Sequence, residues 1–429
     1  MADTVQERPQ DPRSTLIFDW NRLYDFAFRH KPALELNDES LRDGLQSPSV
    51  RDPLLPQKIR LLHLMEELSV DAVDLGLPGA GVNAVEHIET LMREIIDQKM
   101  RIRPNCAVRT VISDIQALVE ISNRTGRPIE AATFIGSSPI RQYVEDWSLD
   151  RLLRMTEEAV TFAVRNGLPV MYVTEDTTRA HPDTVRQLYQ TAIRAGATRI
   201  CVCDTVGHAT PIGVRALLHH VRALITEVNP DVKVDWHGHS DRGLAIPNTM
   251  MAIASGVDRV HATGLGIGER CGNTPMDQLM VNLALEGIFE GSLEKLSEYV
   301  HLISEATGVP IPLNYPVFGA DAFRTATGVH AAAIVKALRK GDRWLADRVY
   351  SGVPAAMVGE TQTLEIGYMS GRSNVDFWLE THGYTSTPEL IEHILRAAKE
   401  SPRVLTDEEI HGLVAAGQGR RREAPGSSA

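Results

Sequence analysis

Short runs rich in β-branched and small apolar residues recur along this chain and alternate with segments of helical period. The runs are 34–38, 72–77, 103–109, 129–135, 169–175, 199–204, 233–239 and 259–265. Between the first two, Leu61, Leu64, Met65 and Leu68 are spaced to share one face of a helix. Regular strand–helix alternation predicts a parallel (β/α)₈ TIM barrel. The alternative, an open doubly wound sheet, often carries a G-x-G-x-x-G loop after its first strand, and none follows the first run here.

The alternation divides the chain into parts of different character. We predict a catalytic barrel over 30–288 and a mostly helical appendage, or lid, over 289–416, where Pro- and Gly-rich turns interrupt the helical stretches. Residues 1–29 form a predicted N-terminal extension, and 417–429 a predicted disordered tail of Gly, Arg and Ser.

Charge and cysteine usage narrow the class of protein. A formal net charge of −12 argues against nucleic acid or an anionic membrane as a partner. The start, MADTVQERPQ, lacks the apolar region of a signal peptide, and no run approaches the ~20 apolar residues that span a bilayer. The 4 cysteines show no C-x-x-C spacing, as expected in a reducing compartment. A cytoplasmic protein without a nucleic-acid or membrane partner is the expectation.

Polar side chains collect where the predicted strands end, which in a barrel is where catalysis occurs. They include Arg42, Asp43 and Gln46 after the first strand, Glu175 after the fifth, Thr205 after the sixth, His237 and His239 on the seventh, and Asn273 after the eighth.

His237 and His239 give the most specific indication of function in this set. Positions i and i+2 of a strand project from one face, so both imidazoles can reach one metal ion, although two hydrogen-bonded histidines would look the same. Strands one, seven and eight are neighbours in a closed barrel, which lets Asp43 and Asn273 converge on the pair. Two nitrogens and two oxygens suit a divalent ion such as Mn, Mg, Co or Zn.

Arg42 adjoins the proposed ligand Asp43. It is interpreted as an electrophile that stabilises negative charge on oxygen, with a structural ion pair to Asp38 or Glu175 as the alternative. Cys271, in the glycine-rich loop after strand eight, is expected to be a small buried thiol.

Several separated motifs resemble one family. NDESLRDGLQSPS, HGHSDRGLAIPN and GLGIGERCGNTPMDQLMVNL are similar to motifs of the DRE-type metal-dependent TIM-barrel acyltransferases, in the branch of 2-isopropylmalate, homocitrate and citramalate synthases. TATGVHAAAIVK, YSGVPAAMVGE and YMSGRSNV resemble the lid segments of that branch. The resemblance runs from about 30 to 385.

The resemblance implies an enzyme that condenses acetyl-CoA with a 2-oxo acid and releases CoA. Asp43, His237, His239 and Asn273 would hold the metal. Arg42 would polarise the ketone, while Thr205 and Gln46 would contact the substrate.

For the base, the resemblance leaves two candidates. One is Glu175. The other is His330 with Tyr350, which in homodimers of this family reach the partner's barrel.

The choice of 2-oxo acid remains open in the sequence. Arg141 lies after strand four, where a guanidinium suits a second carboxylate or a phosphonate, and this favours 2-oxoglutarate, oxaloacetate or a phosphonopyruvate-like acid. The alternative is a 2-isopropylmalate synthase that acts on 2-oxoisovalerate. Leu45 in the DGLQ run and Cys271 in the glycine-rich loop also resemble residues of 3-hydroxy-3-methylglutaryl-CoA lyase. A carbon–carbon lyase of that type is the less favoured alternative. The part after SGRS is too short for the domain that senses leucine, so we expect no leucine inhibition.

Overall fold

The computed structural model of the chain describes residues 16–22 and 34–417. Of the predicted extension over 1–29, it describes only residues 16–22, where Trp20–Arg22 form one turn of 3₁₀ helix. Of the predicted tail over 417–429, all but Gly417 lies outside the described residues.

Eight parallel strands close into a barrel in chain order, and the first pairs with the last. They are β1 Glu35–Asp38, β2 Ala72–Asp74, β3 Arg103–Arg109, β4 Glu130–Gly136, β5 Val170–Glu175, β6 Arg199–Asp204, β7 Lys233–Gly238 and β8 Arg259–Ala262. Closure sets Leu36 opposite Val260 and Asp38 opposite Ala262. This confirms the predicted (β/α)₈ TIM barrel, and every predicted run overlaps one strand.

Helices cover the outside of the barrel, apart from the short Pro139–Val144 helix, which buries none of its residues. They are α1 Leu55–Glu67, α2 Val82–Asp97, α3 Ile112–Thr125, α4 Pro139–Val144, α5 Leu149–Arg165, α6 Pro182–Ala195, α7 Pro211–Thr226, α8 Ala245–Ala254, α9 Met276–Leu285 and α10 Leu296–Thr307. The predicted stripe on α1 is buried against the barrel. Gly196 ends α6 with a positive φ of 110°, a conformation that costs glycine little, and so turns the chain back into β6. Within 16–22 and 34–417, no helix combines the length and apolarity needed to cross a membrane.

Helix α10 packs into the barrel's own core, although its place in the sequence predicts it to be part of the lid. Val300 and Ile303 belong to the barrel's hydrophobic cluster. The Tyr299 hydroxyl donates to the buried carboxylate of Asp38 on β1. The helix therefore braces the strand that precedes the candidate site residues Arg42 and Asp43.

The C-terminal region is mostly helical, as predicted. It contains α11 Gly328–Arg339, α12 Arg343–Ala346, α13 Arg372–Thr381, α14 Pro388–Glu400 and α15 Asp407–Ala416, with a two-stranded parallel sheet of β9 Arg324–Thr325 and β10 Thr363–Leu364. It has two small cores of its own. One surrounds Ile334 and Val335 on α11, and the other surrounds Leu379 on α13 and Ile394 on α14.

An ionic layer fills the barrel toward the N-terminal ends of the strands. Asp235 lies 2.6 Å from Arg199 and 2.7 Å from Arg259, and each arginine pairs with a further glutamate, Glu35 or Glu130. Arg259 is only 2% exposed, so its charge depends on these partners. The layer forms a floor beneath the remaining interior space.

Candidate active site

A cavity of about 500 Å³ occupies the barrel above this floor. The predicted site residues that line it are Arg42, Asp43, Gln46, Glu175, Thr205, His237 and His239. They come from different strands and meet because the carboxyl ends of parallel strands share one rim. Asn273, Arg141, His330 and Tyr350 are not among the lining residues.

Asp43, His237 and His239 form one buried cluster at the cavity wall. Oδ2 of Asp43 lies 3.3 Å from Nε2 of His237 and 3.5 Å from Nε2 of His239. Potential ligand atoms of the three residues all lie within 4.8 Å of one another. Imidazole nitrogens and a carboxylate are donors that suit a borderline or hard divalent ion.

Asn273 lies beside this cluster because its backbone bridges that of His239. Its Nδ2 donates to the carbonyl of Ile267 at 3.2 Å. Its Oδ1 is buried and has no hydrogen-bond partner within the described chain, and the same is true of Nδ1 of His239. A buried acceptor without a donor is costly, and a metal ion would satisfy it. The residues present therefore fit a divalent metal.

Arg42 is held at the rim by carboxylates on three sides. Its Nε donates to Asp74 at 2.7 Å, its Nη2 donates to Glu39 at 2.9 Å, and its Nη1 lies 3.7 Å from Asp43. The alternative ion pairs considered from the sequence, to Asp38 or Glu175, are therefore wrong. Burial would raise the pKa of Asp43, but the Arg42 guanidinium and the two histidines outweigh it and hold that pKa well below its usual range.

Glu39 joins the candidate ligands to a second buried histidine. Its Oε2 lies 3.0 Å from Nδ1 of His237, and its Oε1 lies 2.7 Å from Nδ1 of His261. The other nitrogen of His261 lies 2.9 Å from Asp235 in the ionic layer. Burial disfavours a charged imidazole, but Glu39 and Asp235 outweigh it and raise the pKa of His261 to about 10. Arg42 and the histidines likewise overcome burial and hold the pKa of Glu39 well below its usual range.

Sequence reasoning missed Glu39, Asp74 and His261 as parts of the site. Asp74 ends β2, and His261 lies on β8 two residues after Arg259. The signal was available, since an ionisable residue at the end of a barrel strand is the same criterion that found Glu175. Glu39 lies inside the NDESLRDGLQ motif, in which only Arg42, Asp43 and Gln46 are predicted to be site residues.

Glu175 and Thr205 line the same cavity from the ends of β5 and β6, and Thr205 follows the strand that pairs with β7. Burial raises the pKa of Glu175, although Arg141 and Arg42 oppose the shift, so this carboxylate is a stronger base than usual. The Thr205 hydroxyl accepts from the backbone N–H of Asp176 at 2.8 Å. Its own proton stays free to donate to a ligand.

The wall between these polar groups is apolar. It is formed by Leu77, Ala107, Ala132, Phe134, Met171, Val173, Cys201 and Cys203, from the ends and inner faces of β2 to β6. Burial raises the pKa of the Cys201 thiol well above its usual value, which keeps it neutral. A charged ligand group that points at this wall meets no side chain of opposite charge among the residues that form it.

Arg141 lies at the rim outside this lining. Its Nη1 pairs with Glu145 at 2.8 Å, and its guanidinium lies 5.8 Å from the ring centroid of Trp147. Its side chain covers Gly136 at the end of β4, where a Cβ would come within 2.3 Å of Cγ of Arg141.

His330 and Tyr350 contact each other in the C-terminal region, with ring centroids 4.0 Å apart. Both are exposed, and neither reaches this chain's own cavity. Cys271 is also exposed, so the expectation of a buried thiol is wrong. The glycine-rich loop folds back on itself and leaves that side chain at the surface.

Comparisons with known proteins identify the family of this chain. The profile of the family described as HMGL-like matches residues 33–303. Homocitrate synthase AksA of Methanopyrus kandleri is 30% identical over 84% of this chain and 86% of its own length. The 2-isopropylmalate synthase of Pyrococcus abyssi is 29% identical over 88% of this chain and 76% of its own length.

Among solved structures, the HMG-CoA lyase of Bacillus subtilis superposes with a TM-score of 0.56 at 19% identity, covering 66% of this chain and 96% of the lyase. At that identity the likeness shows the barrel fold alone. The family match and the synthase relatives together show that this chain belongs to the HMGL-like family, as an enzyme related to 2-isopropylmalate and homocitrate synthases.

Proposed function

We propose that this enzyme condenses acetyl-CoA with a 2-oxo acid and releases CoA. The observation that carries the proposal is the buried Asp43–His237–His239 cluster with Arg42 beside it at the mouth of the barrel. The synthase relatives support the same reaction class.

A divalent ion (Mn, Mg, Co or Zn) held by Asp43, His237, His239 and Asn273 would act as a Lewis acid on the 2-oxo acid. Arg42 would donate to the oxygen that gains negative charge as the ketone is attacked. Thr205 and Gln46 would bind the substrate carboxylate. Thr205 is ready for this role because the Asp176 N–H already orients its hydroxyl.

Glu175 is the first candidate for the base that removes a proton from the acetyl methyl. The resulting carbanion attacks the ketone carbon and forms a new carbon–carbon bond. Water then hydrolyses the thioester, which releases CoA as the thiol. Because burial raises the pKa of Glu175, its carboxylate is better suited to take that proton than an exposed one.

The cavity favours a 2-oxo acid with an uncharged side chain, such as 2-oxoisovalerate. A substrate bound through its carboxylate and ketone at the polar side would direct its side chain at the apolar wall. Arg141 in the sequence favours an acidic 2-oxo acid, but that guanidinium pairs with Glu145 outside the lining. Glu175 would also repel a second carboxylate.

A homodimer would bring His330 and Tyr350 to the site of a second copy. Large apolar side chains are exposed around the mouth of the barrel, including Tyr143 and Ile212. Others are exposed near the His330–Tyr350 pair, including Val329. Exposed apolar surface of this kind marks interaction sites, and mutual burial of these two surfaces would cover both.

The test is release of CoA thiol by purified enzyme with acetyl-CoA and Mn²⁺, across a panel of 2-oxo acids. The panel contains 2-oxoisovalerate, pyruvate, 2-oxoglutarate, oxaloacetate and phosphonopyruvate. We expect the highest kcat/KM with 2-oxoisovalerate. A preference for an acidic member would refute the argument from the apolar wall. Cleavage of 3-hydroxy-3-methylglutaryl-CoA without any 2-oxo acid would replace the proposed reaction by the lyase reaction.

A further inference from the structure

Glu39 contacts two parts of the candidate machinery with one carboxylate. It is only 3% exposed. Oε2 accepts from Nη2 of Arg42 at 2.9 Å and lies 3.0 Å from Nδ1 of His237. The same oxygen therefore faces both the proposed electrophile and a proposed metal ligand.

The direction of the His237 ring depends on this contact. With Nδ1 facing Glu39, Nε2 faces Asp43 at 3.3 Å, which is the side of the proposed metal site. A histidine that binds a metal through one nitrogen usually donates its other N–H to a carboxylate or carbonyl, and this fixes both tautomer and orientation.

Glu39 is itself anchored from below. Its Oε1 lies 2.7 Å from Nδ1 of His261, and Nε2 of His261 lies 2.9 Å from Asp235. Asp235 pairs with the almost fully buried Arg259 at 2.7 Å. A continuous chain of buried polar contacts thus joins the ionic floor of the barrel to the proposed metal ligand.

We propose that Glu39 is a positioning residue that fixes His237 for metal binding and holds Arg42 at a set distance from it, with His261 and Asp235 as its anchor. The proposal rests on the proposed function of the site. In this role Glu39 acts through His237 and Arg42, the two side chains that its Oε2 faces.

Glu39→Gln tests the role with little change of shape. An amide keeps one acceptor oxygen and places an NH₂ donor against Arg42 and His237, or against His261. Glu35→Gln is the matched control, because Glu35 begins β1, four residues before Glu39, and pairs with Arg199 in the floor. Both variants are compared with the wild type by thermal unfolding and by calorimetric titration of the metal-free protein with Mn²⁺.

We expect Glu39→Gln to weaken Mn²⁺ binding by about 10- to 100-fold, the usual effect of losing such an orienting contact. Glu35→Gln should lower stability but leave Mn²⁺ affinity within about 3-fold of the wild type, since it removes no contact to a proposed ligand. His261→Asn is the second variant, for use if Glu39→Gln does not fold. It frees Glu39 from its anchor and should also weaken Mn²⁺ binding.

Wild-type Mn²⁺ affinity in a folded Glu39→Gln protein would overturn the inference. If that variant does not fold, wild-type affinity in His261→Asn would do the same, as would an equal loss of affinity in Glu35→Gln. Failure of the wild type to bind Mn²⁺ would instead overturn the proposed metal site, so the two failures are distinguishable.

Discussion

Replacing Gly268 by alanine should move Asn273 and weaken metal binding. A Cβ at Gly268 would lie 2.2 Å from Nδ2 of Asn273, whereas real Cβ contacts below 3.0 Å essentially do not occur. The amide must therefore shift by at least about 0.8 Å, or rotate away from the Asp43–His237–His239 cluster. Either movement displaces Oδ1, the buried oxygen without a hydrogen-bond partner.

Gly81→Ala provides a matched control for backbone strain. Gly81 has a φ of +130° and Gly268 a φ of +146°, so alanine is strained at both positions, but nothing lies within 4 Å of a Cβ at Gly81. We expect each substitution to lower the free energy of unfolding by about 1–3 kcal/mol. Gly268→Ala should cost about 1 kcal/mol more, because the hydrogen bond from Asn273 to Ile267 is also broken.

The distinguishing result is metal affinity. Gly268→Ala should weaken Mn²⁺ binding by about 10- to 100-fold, which corresponds to about 1.4–2.7 kcal/mol. Gly81→Ala should bind as the wild type does. Calorimetric titration of the metal-free proteins measures both. Equal affinity in the two variants would remove Asn273 from the ligand set.

Three further predictions concern the site and the strand below it. His237→Ala removes a nitrogen donor from the Asp43–His237–His239 cluster, so metal per chain after dialysis should fall toward zero by elemental analysis. Retention of bound metal would refute the assignment. Burial raises the pKa of Asp38 from 3.8 to about 6, so the folded chain holds this proton more tightly than the unfolded chain. That contribution to stability is present below about pH 4 and is lost as the pH rises through 6. Asp38→Asn should therefore make the free energy of unfolding fall by about 2 kcal/mol less than in the wild type between pH 4 and 7. Parallel profiles from urea unfolding would contradict this. Glu175→Gln should lower kcat by about 10²- to 10⁴-fold with little change in the KM of the 2-oxo acid. A wild-type kcat would exclude Glu175 as the base.

The barrel could be predicted because its signal is local and repeated. The spacing of apolar residues in each strand run and each helical stripe indicates which face is buried, as for Leu61 and Leu64 on α1. The candidate metal cluster could also be predicted from the sequence. His237 and His239 are spaced to project from one face of β7, and closure of the barrel makes the strand that leads to Asp43 a near neighbour.

Contacts between strands could not be predicted in the same way. The pairs Arg42–Asp74, Glu39–His261 and His261–Asp235 join residues that lie on different strands or just after them. Which side chains meet depends on the register of the strands and on how far each side chain reaches across the barrel. The amino-acid sequence gives neither the register nor the reach of a side chain. It could therefore not show that Glu39 faces His237.

Arg141 and the apolar wall of the cavity show most clearly what the sequence determines and what the tertiary structure determines. The sequence by itself determined the barrel, the rim that carries its chemistry and the presence of Arg141 at that rim. The tertiary structure decided that Arg141 pairs with Glu145 while the inner faces of β2 to β6 present an apolar wall. The physical reason is that a charge at a rim acts on whichever partner lies nearest in space, and only the packing of the chain sets that partner.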